Sequence, residues 1–178
     1  GAAEAFHQSA VLFQSAMSSF RGILEYVLTE DPERAVLLGN NVYYELESMT
    51  EHEGFRTRMI DERDIDGIAA AAGSGEISAF FMDPIANSMI NPKVTGQDRL
   101  NYPAFDLKNI ITRLCSLHYD KPFYFVLDIT SMGPLFQLSE YLKGLDVPAN
   151  LHFIQVESGQ KLVTDGEEPS TSGVVYVD

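Results

Sequence analysis

A serine and a lysine follow one apolar stretch of this sequence, and an aspartate ends another. The segment FIQVESGQKLVTDG carries Ser158 and Lys161 after its apolar part, and FVLDIT carries Asp128 at the end of the most hydrophobic run. An unpaired carboxylate is costly in such surroundings, so Asp128 either caps a backbone turn or faces a buried cation. Lys161 is one candidate for that cation, and a cationic ligand ring is another. If Lys161 is instead an ordinary solvated side chain, it belongs to no site.

The composition of the chain excludes several classes of function. With 12 basic and 26 acidic side chains among 178 residues, the chain lacks the basic surface that nucleic acids require. Its longest apolar runs fall well short of the roughly 20 residues that span a bilayer, so no membrane association is expected. A single cysteine, Cys115, rules out an internal disulfide and is typical of a reducing, cytoplasmic location.

Most standard catalytic motifs are missing from the sequence. It contains no Walker loop, no G-x-S-x-G elbow and no cluster of cysteine and histidine residues. Its four histidines are scattered along the chain, at His7, His52, His118 and His152. We therefore predict that the protein has no metal site.

Helical and strand-like segments alternate along the chain. Apolar residues at helical spacing predict helices beginning at Ala16, from Leu107 through Leu117 after an Asp106 cap, and from Pro134 to Gly144. Apolar runs predict buried strands at RAVLLGN, ISAFFMD and PFYFVLDIT, and further strands are predicted at AVLF, NLHFIQVES and GVVYV. The Ala- and Gly-rich segment before Ile77 is predicted as a flexible connection. This pattern is typical of a single α/β domain with a mainly parallel sheet and helices on both faces.

In such a sheet, ligands bind beyond the carboxyl ends of the strands. Asp83, Asp128 and Ser158 lie at or just after predicted strand ends, and Gln14 and Ser15 close the run AVLF. We therefore expect these polar side chains to lie near one another.

Six segments of the chain carry a family resemblance: FQSAMSSF, NNVYYE, FMDPIANS, FVLDIT, VESGQK and STSGVVY. They resemble, in the same order along the chain, segments of the fold type I pyridoxal-phosphate enzymes, most closely of the Cys/Met-metabolism (trans-sulfuration) group. The first three segments are similar, in turn, to the family's phosphate-binding turn, to the segment with the stacking tyrosine and to the Glu-x-Pro-x-Asn-Pro stretch. The last three are similar to the strand with the pyridine-binding aspartate, to the Ser-x-x-Lys strand end and to the Gly-led strand that follows it. The resemblance extends from about residue 10 to the end of the chain, and implies an aminotransferase-like, cofactor-binding large domain.

The resemblance implies pyridoxal 5'-phosphate as cofactor and a role for each matching residue. Lys161 would form the Schiff base, which requires a partly deprotonated amine. Asp128 would keep the pyridine nitrogen protonated, and Tyr43 would stack on the ring and assist proton transfer. The remaining predicted cofactor-binding residues are Ser15, Ala16, Met17 and Ser158 at the phosphate, Asn87 at the ring oxygen and Thr130 near the ring face.

The sequence departs from the family pattern in composition and in length. Ala16 stands where a glycine is usual, which requires a negative φ, and Gln160 stands where a serine or threonine precedes the lysine. Ser88 and Tyr44 also replace a usual proline and glycine. We treat residues 1–178 as one domain and expect the family's N-terminal segment and small C-terminal domain to be absent, which would leave the substrate pocket incomplete.

Three functions are compatible with these features. The first is the cofactor-binding part of an enzyme that catalyses elimination or replacement on an amino acid, with sulfur-containing amino acids among the candidates. The second keeps the cofactor but changes the reaction to transamination or decarboxylation. The third is a catalytically inactive remnant that acts as a structural or interaction domain. The expected partners are a small amino-acid substrate and, in the full-length parent protein, a second copy that forms a homodimer.

Overall fold

A computed structural model of the protein describes residues 9–85, 105–132, 136–158 and 173–177. Seven strands and five helices alternate along this part of the chain. In chain order they are β1 (Ser9–Phe13), α1 (Ala16–Glu30), β2 (Ala35–Gly39), α2 (Tyr44–Glu53), β3 (Thr57–Ile60), α3 (Ile65–Gly73), β4 (Ile77–Met82), α4 (Leu107–Cys115), β5 (Phe123–Asp128), α5 (Leu138–Leu142), β6 (Leu151–Ser158) and β7 (Gly173–Val177).

The strands form one sheet in the order β1-β7-β6-β5-β4-β2-β3. Strands β2 to β6 are parallel to one another, and β7 is antiparallel to both β6 and β1. The predicted α/β class with a mainly parallel sheet is therefore confirmed. No helix in the described part of the chain has both the length and the apolar character that a membrane span requires.

Helices cover both faces of the sheet, which explains the continuous apolar runs in its central strands. All six residues of β4 are buried, as expected for a strand with a core on each side. Side chains from α3, α4 and α5 pack with one set of strand residues, including Phe80 and Phe125. Side chains from α1 and α2 pack with the other set, including Phe81 and Val126. Each such side chain contributes about 1.5–3 kcal/mol through burial, so the two cores hold the strand ends in fixed positions.

The structure corrects three predictions of local structure and adds two elements that were not predicted. The Ala-rich segment before Ile77 is largely helical: it lies in α3, where Asp64 caps the helix by accepting a hydrogen bond from the Gly67 N–H at 2.9 Å. The helix predicted from Pro134 to Gly144 spans only Leu138–Leu142 within the described residues. Helix α4 ends at Cys115, so Leu117 follows it rather than extending it. Helix α2 and strand β3 were not predicted.

His152, in β6, gives the fold a defined dependence on pH. Its ring stacks on Tyr124 with a centroid distance of 5.2 Å, and burial lowers its pKa from the ordinary value of 6.5. Burial thus favours the neutral ring, so the unfolded chain binds the proton more readily than the folded protein. We expect the free energy of unfolding to fall as the pH decreases below 6.5.

The matched test is His152→Phe, which keeps an aromatic ring but cannot titrate. Urea denaturation between about pH 8 and pH 5 should show a smaller loss of stability in this variant than in the wild type. His118→Gln is the control, because the His118 side chain is 89% exposed. Equal pH dependence in the wild type and His152→Phe would contradict the prediction.

Candidate functional site

A cavity of about 410 Å³ opens at the carboxyl edge of the parallel strands. The start of α1, the start of α2 and the ends of β4, β5 and β6 all contribute to its wall. The lining residues are Ser15, Ala16, Met17, Phe20, Tyr43, Glu45, Asp83, Asp128, Thr130, Ser131 and Ser158. The cavity therefore lies where the topology of a parallel sheet places ligands.

The N-terminus of α1 forms one wall of this cavity. Ser15 is the N-cap and forms a capping box with Ser18, since its Oγ accepts from the Ser18 N–H at 3.1 Å and its own N–H donates to Ser18 Oγ at 2.8 Å. The N–H groups of Ala16 and Met17 belong to the first turn, which has no intrahelical acceptors for them. Ala16 is the first residue of the helix, so its φ is negative and glycine is not required at this position. This end of α1 offers N–H donors and the positive end of the helix dipole.

A close approach between β7 and α1 holds that wall in place. Gly173 is buried, and a Cβ there would lie 2.4 Å from the carbonyl oxygen of Ser15 and 2.6 Å from Ser19 Oγ. Only glycine lets the strand come so near the first turn of the helix. The absence of a side chain at position 173 therefore positions the Ser15 cap at the cavity.

The ends of β5 and β6 form another part of the wall and are joined by Thr130. The Thr130 N–H donates to Asp128 Oδ1 at 3.0 Å, and Thr130 Oγ1 accepts from the Ser158 N–H at 2.9 Å. Asp128 is half-buried at the last position of β5 and lies opposite Val156 of β6. Thr130 therefore fixes the Asp128 carboxylate relative to Ser158.

Tyr43 contributes an aromatic ring from the N-terminus of α2. Its ring lies 4.9 Å from the ring of Tyr44, measured between centroids, and Tyr44 Oη donates to Glu45 Oε1 at 3.3 Å. Burial, followed by the negative charge of Glu45, raises the pKa of the Tyr43 phenol. Tyr43 therefore remains a neutral phenol, able to stack and to donate a hydrogen bond at neutral pH.

The charge of the described cavity wall is negative. Glu45, Asp83 and Asp128 line it, whereas no lysine or arginine does so among the described residues. Asp83 is 2% exposed, and its Oδ1 accepts from the Ile85 N–H at 2.9 Å. Away from the α1 N-terminus, the cavity therefore favours a protonated or cationic group.

The structure brings together seven of the predicted cofactor-binding residues. They are Ser15, Ala16, Met17, Tyr43, Asp128, Thr130 and Ser158. Asn87 and Lys161 lie outside the described residues. Phe20, Glu45 and Ser131 also line the cavity and were not predicted, although each lies within four positions of a predicted residue.

The architecture matches solved structures over nearly the whole chain. The protein metB from Corynebacterium glutamicum is 15% identical, with a TM-score of 0.66 over 93% of this chain and 37% of that one. Cystathione gamma lyase (CalE6) from Micromonospora echinospora is 20% identical, with a TM-score of 0.63 over the same shares. This chain shares their fold. The resemblance inferred from the sequence is thus confirmed at the level of fold.

An aminotransferase has the same arrangement. Ornithine aminotransferase from Toxoplasma gondii, with PLP at partial occupancy in its active site, is 14% identical, with a TM-score of 0.57 over 93% of this chain and 40% of that one. The chain thus spans well under half the length of these proteins. No protein-family model matches the sequence, and no curated protein matches it significantly.

Proposed function

We propose that this chain is the cofactor-binding domain of a pyridoxal-phosphate-dependent enzyme that acts on amino acids. One observation carries the proposal: a helix N-terminus, a strand-end carboxylate and an aromatic ring line a single cavity. These are the three kinds of group needed by a ligand with a phosphate, a protonatable ring nitrogen and a flat face. The order of these groups along the chain is also that of the fold type I enzymes.

The N-terminus of α1 fits the phosphate. The N–H groups of Ala16 and Met17 and the hydroxyl of Ser158 provide donors, and the helix dipole favours a dianion there. The Ser15 hydroxyl is engaged in the capping box, so its part is to fix the turn rather than to donate outward. The close approach of Gly173 leaves no room for the turn to shift. The donor set is therefore of the type and rigidity that a phosphate group requires.

Asp128 and Tyr43 fit the ring of the cofactor. Thr130 orients the Asp128 carboxylate through its backbone N–H, so the carboxylate can hold a proton on the ring nitrogen. Tyr43 would lie against the ring and, as a neutral phenol, could pass a proton. When bound, pyridoxal phosphate supplies an electron sink for bond cleavage at the α-carbon of an amino acid.

Lys161 and Asn87 complete the proposed site. Lys161 lies outside the described residues, and it follows Ser158, which lines the cavity, by three positions in the sequence. We assign the covalent attachment of the cofactor aldehyde, with loss of water, to the amine of Lys161. Asn87 is assigned to the ring oxygen on the resemblance of its segment alone.

The favoured reaction is elimination or replacement on an amino acid, with sulfur-containing amino acids among the candidate substrates. The trans-sulfuration-like segments of the sequence support it, as does the shared fold with a cystathione gamma lyase. Transamination is the second candidate, because the ornithine aminotransferase shares the fold over the same 93% of this chain.

Borohydride reduction in the presence of pyridoxal phosphate tests the proposal directly. Reduction makes the bond between cofactor and lysine permanent, and peptide mapping then identifies the labelled residue. We expect labelling of Lys161 ahead of the other four lysines. An amine that forms a Schiff base near neutral pH must lie close to the cofactor aldehyde and must be partly deprotonated. Those four are Lys93, Lys108, Lys121 and Lys143.

Lys121 is an internal control for non-specific labelling. Its side chain is 59% exposed and pairs with Asp31 at 2.6 Å, and the residue precedes β5 rather than following it, at the edge of the sheet away from the cavity. Labelling of Lys121 and Lys161 to the same extent would refute the assignment and would favour a domain with a structural or interaction role.

A further inference from the structure

Glu62 is a buried carboxylate just beyond the end of β3. The residue is 1% exposed, yet it lies outside the residues that line the cavity. Its two oxygens accept separate hydrogen bonds from one residue: Oε1 from the Asn41 backbone N–H at 2.8 Å and Oε2 from Asn41 Nδ2 at 2.9 Å. Burial raises the pKa of the Glu62 carboxyl, and the two hydrogen bonds from Asn41 offset part of the cost of burying it.

The fold makes room for this carboxylate at the end of β2. A Cβ at Gly39 would lie 2.2 Å from Glu62 Oε1, so any larger residue at position 39 would displace the carboxylate. The Asn40 N–H also donates to the Ile60 carbonyl at 2.8 Å. The turn after β2 is therefore held against β3 both by backbone pairing and by the Glu62 side chain.

This turn leads directly to Tyr43. The Val42 N–H donates to the Gly39 carbonyl at 3.2 Å, and the Val42 side chain is buried in the core beneath α1 and α2. Tyr43 follows as the N-cap of α2, and its carbonyl accepts from the Leu46 N–H at 2.9 Å. The direction in which Tyr43 enters the cavity thus depends on how Asn41 and Val42 are held.

We propose that Glu62 is a positioning residue for Tyr43, acting through the two hydrogen bonds from Asn41. It does not contact the cavity itself. Only a carboxylate offers two acceptors to two donors at this point, since an amide would present its own N–H groups to one of them. The link to cofactor binding rests on the proposed function, whereas the placement of Tyr43 does not.

Glu62→Gln is the main test, read first without any cofactor. Burial in the cavity wall raises the pKa of Tyr43 above its ordinary value of 10.0. If the ring loses its placement, it becomes more exposed and its pKa should fall toward that value. Carbon-13 NMR of ring-labelled tyrosines, with the Tyr43 signal assigned by its loss in Tyr43→Phe, measures this shift. An unchanged Tyr43 titration in folded Glu62→Gln would overturn the proposal.

The second readout is the affinity for pyridoxal phosphate. We expect pyridoxal phosphate to bind about tenfold more weakly to Glu62→Gln than to the wild type. In the variant, the Tyr43 ring is no longer held in its stacking position before the cofactor binds. Asp61→Asn is the matched control, since Asp61 is the neighbouring acid but bonds to Arg63 at the surface. Asp61→Asn should leave both readouts unchanged, and an equal effect there would contradict a specific role for Glu62.

The two readouts separate this inference from the proposed function. If the wild type fails to bind pyridoxal phosphate, the proposed function fails while the Tyr43 titration still decides the positioning role. If Glu62→Gln does not fold, Asn41→Ala replaces it, because that variant keeps the backbone bond to Oε1 and loses the side-chain bond to Oε2. A Tyr43 pKa lowered in Asn41→Ala would support the proposal, and an unshifted one would overturn it.

Discussion

Asp128→Asn should weaken the binding of pyridoxal phosphate about a hundredfold, which corresponds to about 2.7 kcal/mol. The substitution keeps the shape of the side chain and an oxygen that can accept from the Thr130 N–H, which lies 3.0 Å from Asp128 Oδ1 in the wild type. It removes the negative charge that would face the protonated ring nitrogen. Titration of the variant with the cofactor, followed by absorbance, measures the change, and thermal unfolding without cofactor should differ little.

Asp120→Asn is the control for a general loss of charge. Asp120 is 94% exposed and faces His118 at 3.2 Å, before the start of β5 rather than at its end. That variant should bind the cofactor as the wild type does. Equal affinity of Asp128→Asn and the wild type would mean that the carboxylate serves only as a cap for the turn at Thr130.

Gly173→Ala should destabilise the protein by about 1–3 kcal/mol, as overpacked core substitutions do. The new methyl group would lie 2.4 Å from the Ser15 carbonyl oxygen, a backbone atom that cannot rotate away. The start of α1 must then move from β7, so we also expect cofactor affinity to fall about tenfold. Urea denaturation measures the first effect and cofactor titration the second.

Gly73→Ala is the matched control for the loss of a glycine. A Cβ at Gly73 would have only Leu117 Cδ1 near it, at 4.0 Å, and the residue ends a helix. Alanine there should be neutral or stabilising by up to about 1 kcal/mol. If Gly173→Ala were as stable as Gly73→Ala, the close packing of β7 on α1 would not be what holds the cap.

The parts of the fold that were predictable are those with strong apolar patterns. Strands β4 and β5 are nearly continuous apolar runs because both of their faces are buried, and that same property implies a parallel sheet. Since parallel strands end at one edge, the amino-acid pattern alone was enough to place Asp128 and Ser158 near each other. Helix α1 combines a clear stripe with the Ser15 cap, so its start was also predictable.

The elements that were missed have weak local patterns. Helix α2 buries only Leu46 and Thr50, which is too few for a detectable stripe. Strand β3 is short and lies at the edge of the sheet, with Met59 39% exposed. In α3 the run of alanines favours a helix, and it is the Gly-Ser-Gly sequence at 73–75 that resembles a loop. Ala71 and Ala72 pack in the same core as the apolar side chains of α4.

The role of Glu62 could not be read from the sequence for a different reason. Its neighbours Asp61 and Arg63 form an exposed pair, so the segment looks like an ordinary charged surface. Burial of Glu62 depends on the missing side chain of Gly39, on another strand. Such contacts between distant positions leave no periodic signal in the chain.

The place of β7 between β6 and β1 has a consequence for the order of folding. Phe13 of β1 pairs with Gly173 of β7, almost the whole length of the chain away. The ribosome adds about 5–20 residues per second. Strand β1 therefore has no partner in the sheet until β7, the last described strand, has been synthesised. Pairing across such a distance is slow, and an unpaired apolar strand is prone to aggregate while it waits. The cavity wall at Ser15 is therefore completed last, so a nascent or shortened chain would hold most of its sheet but not the turn that we propose binds the phosphate.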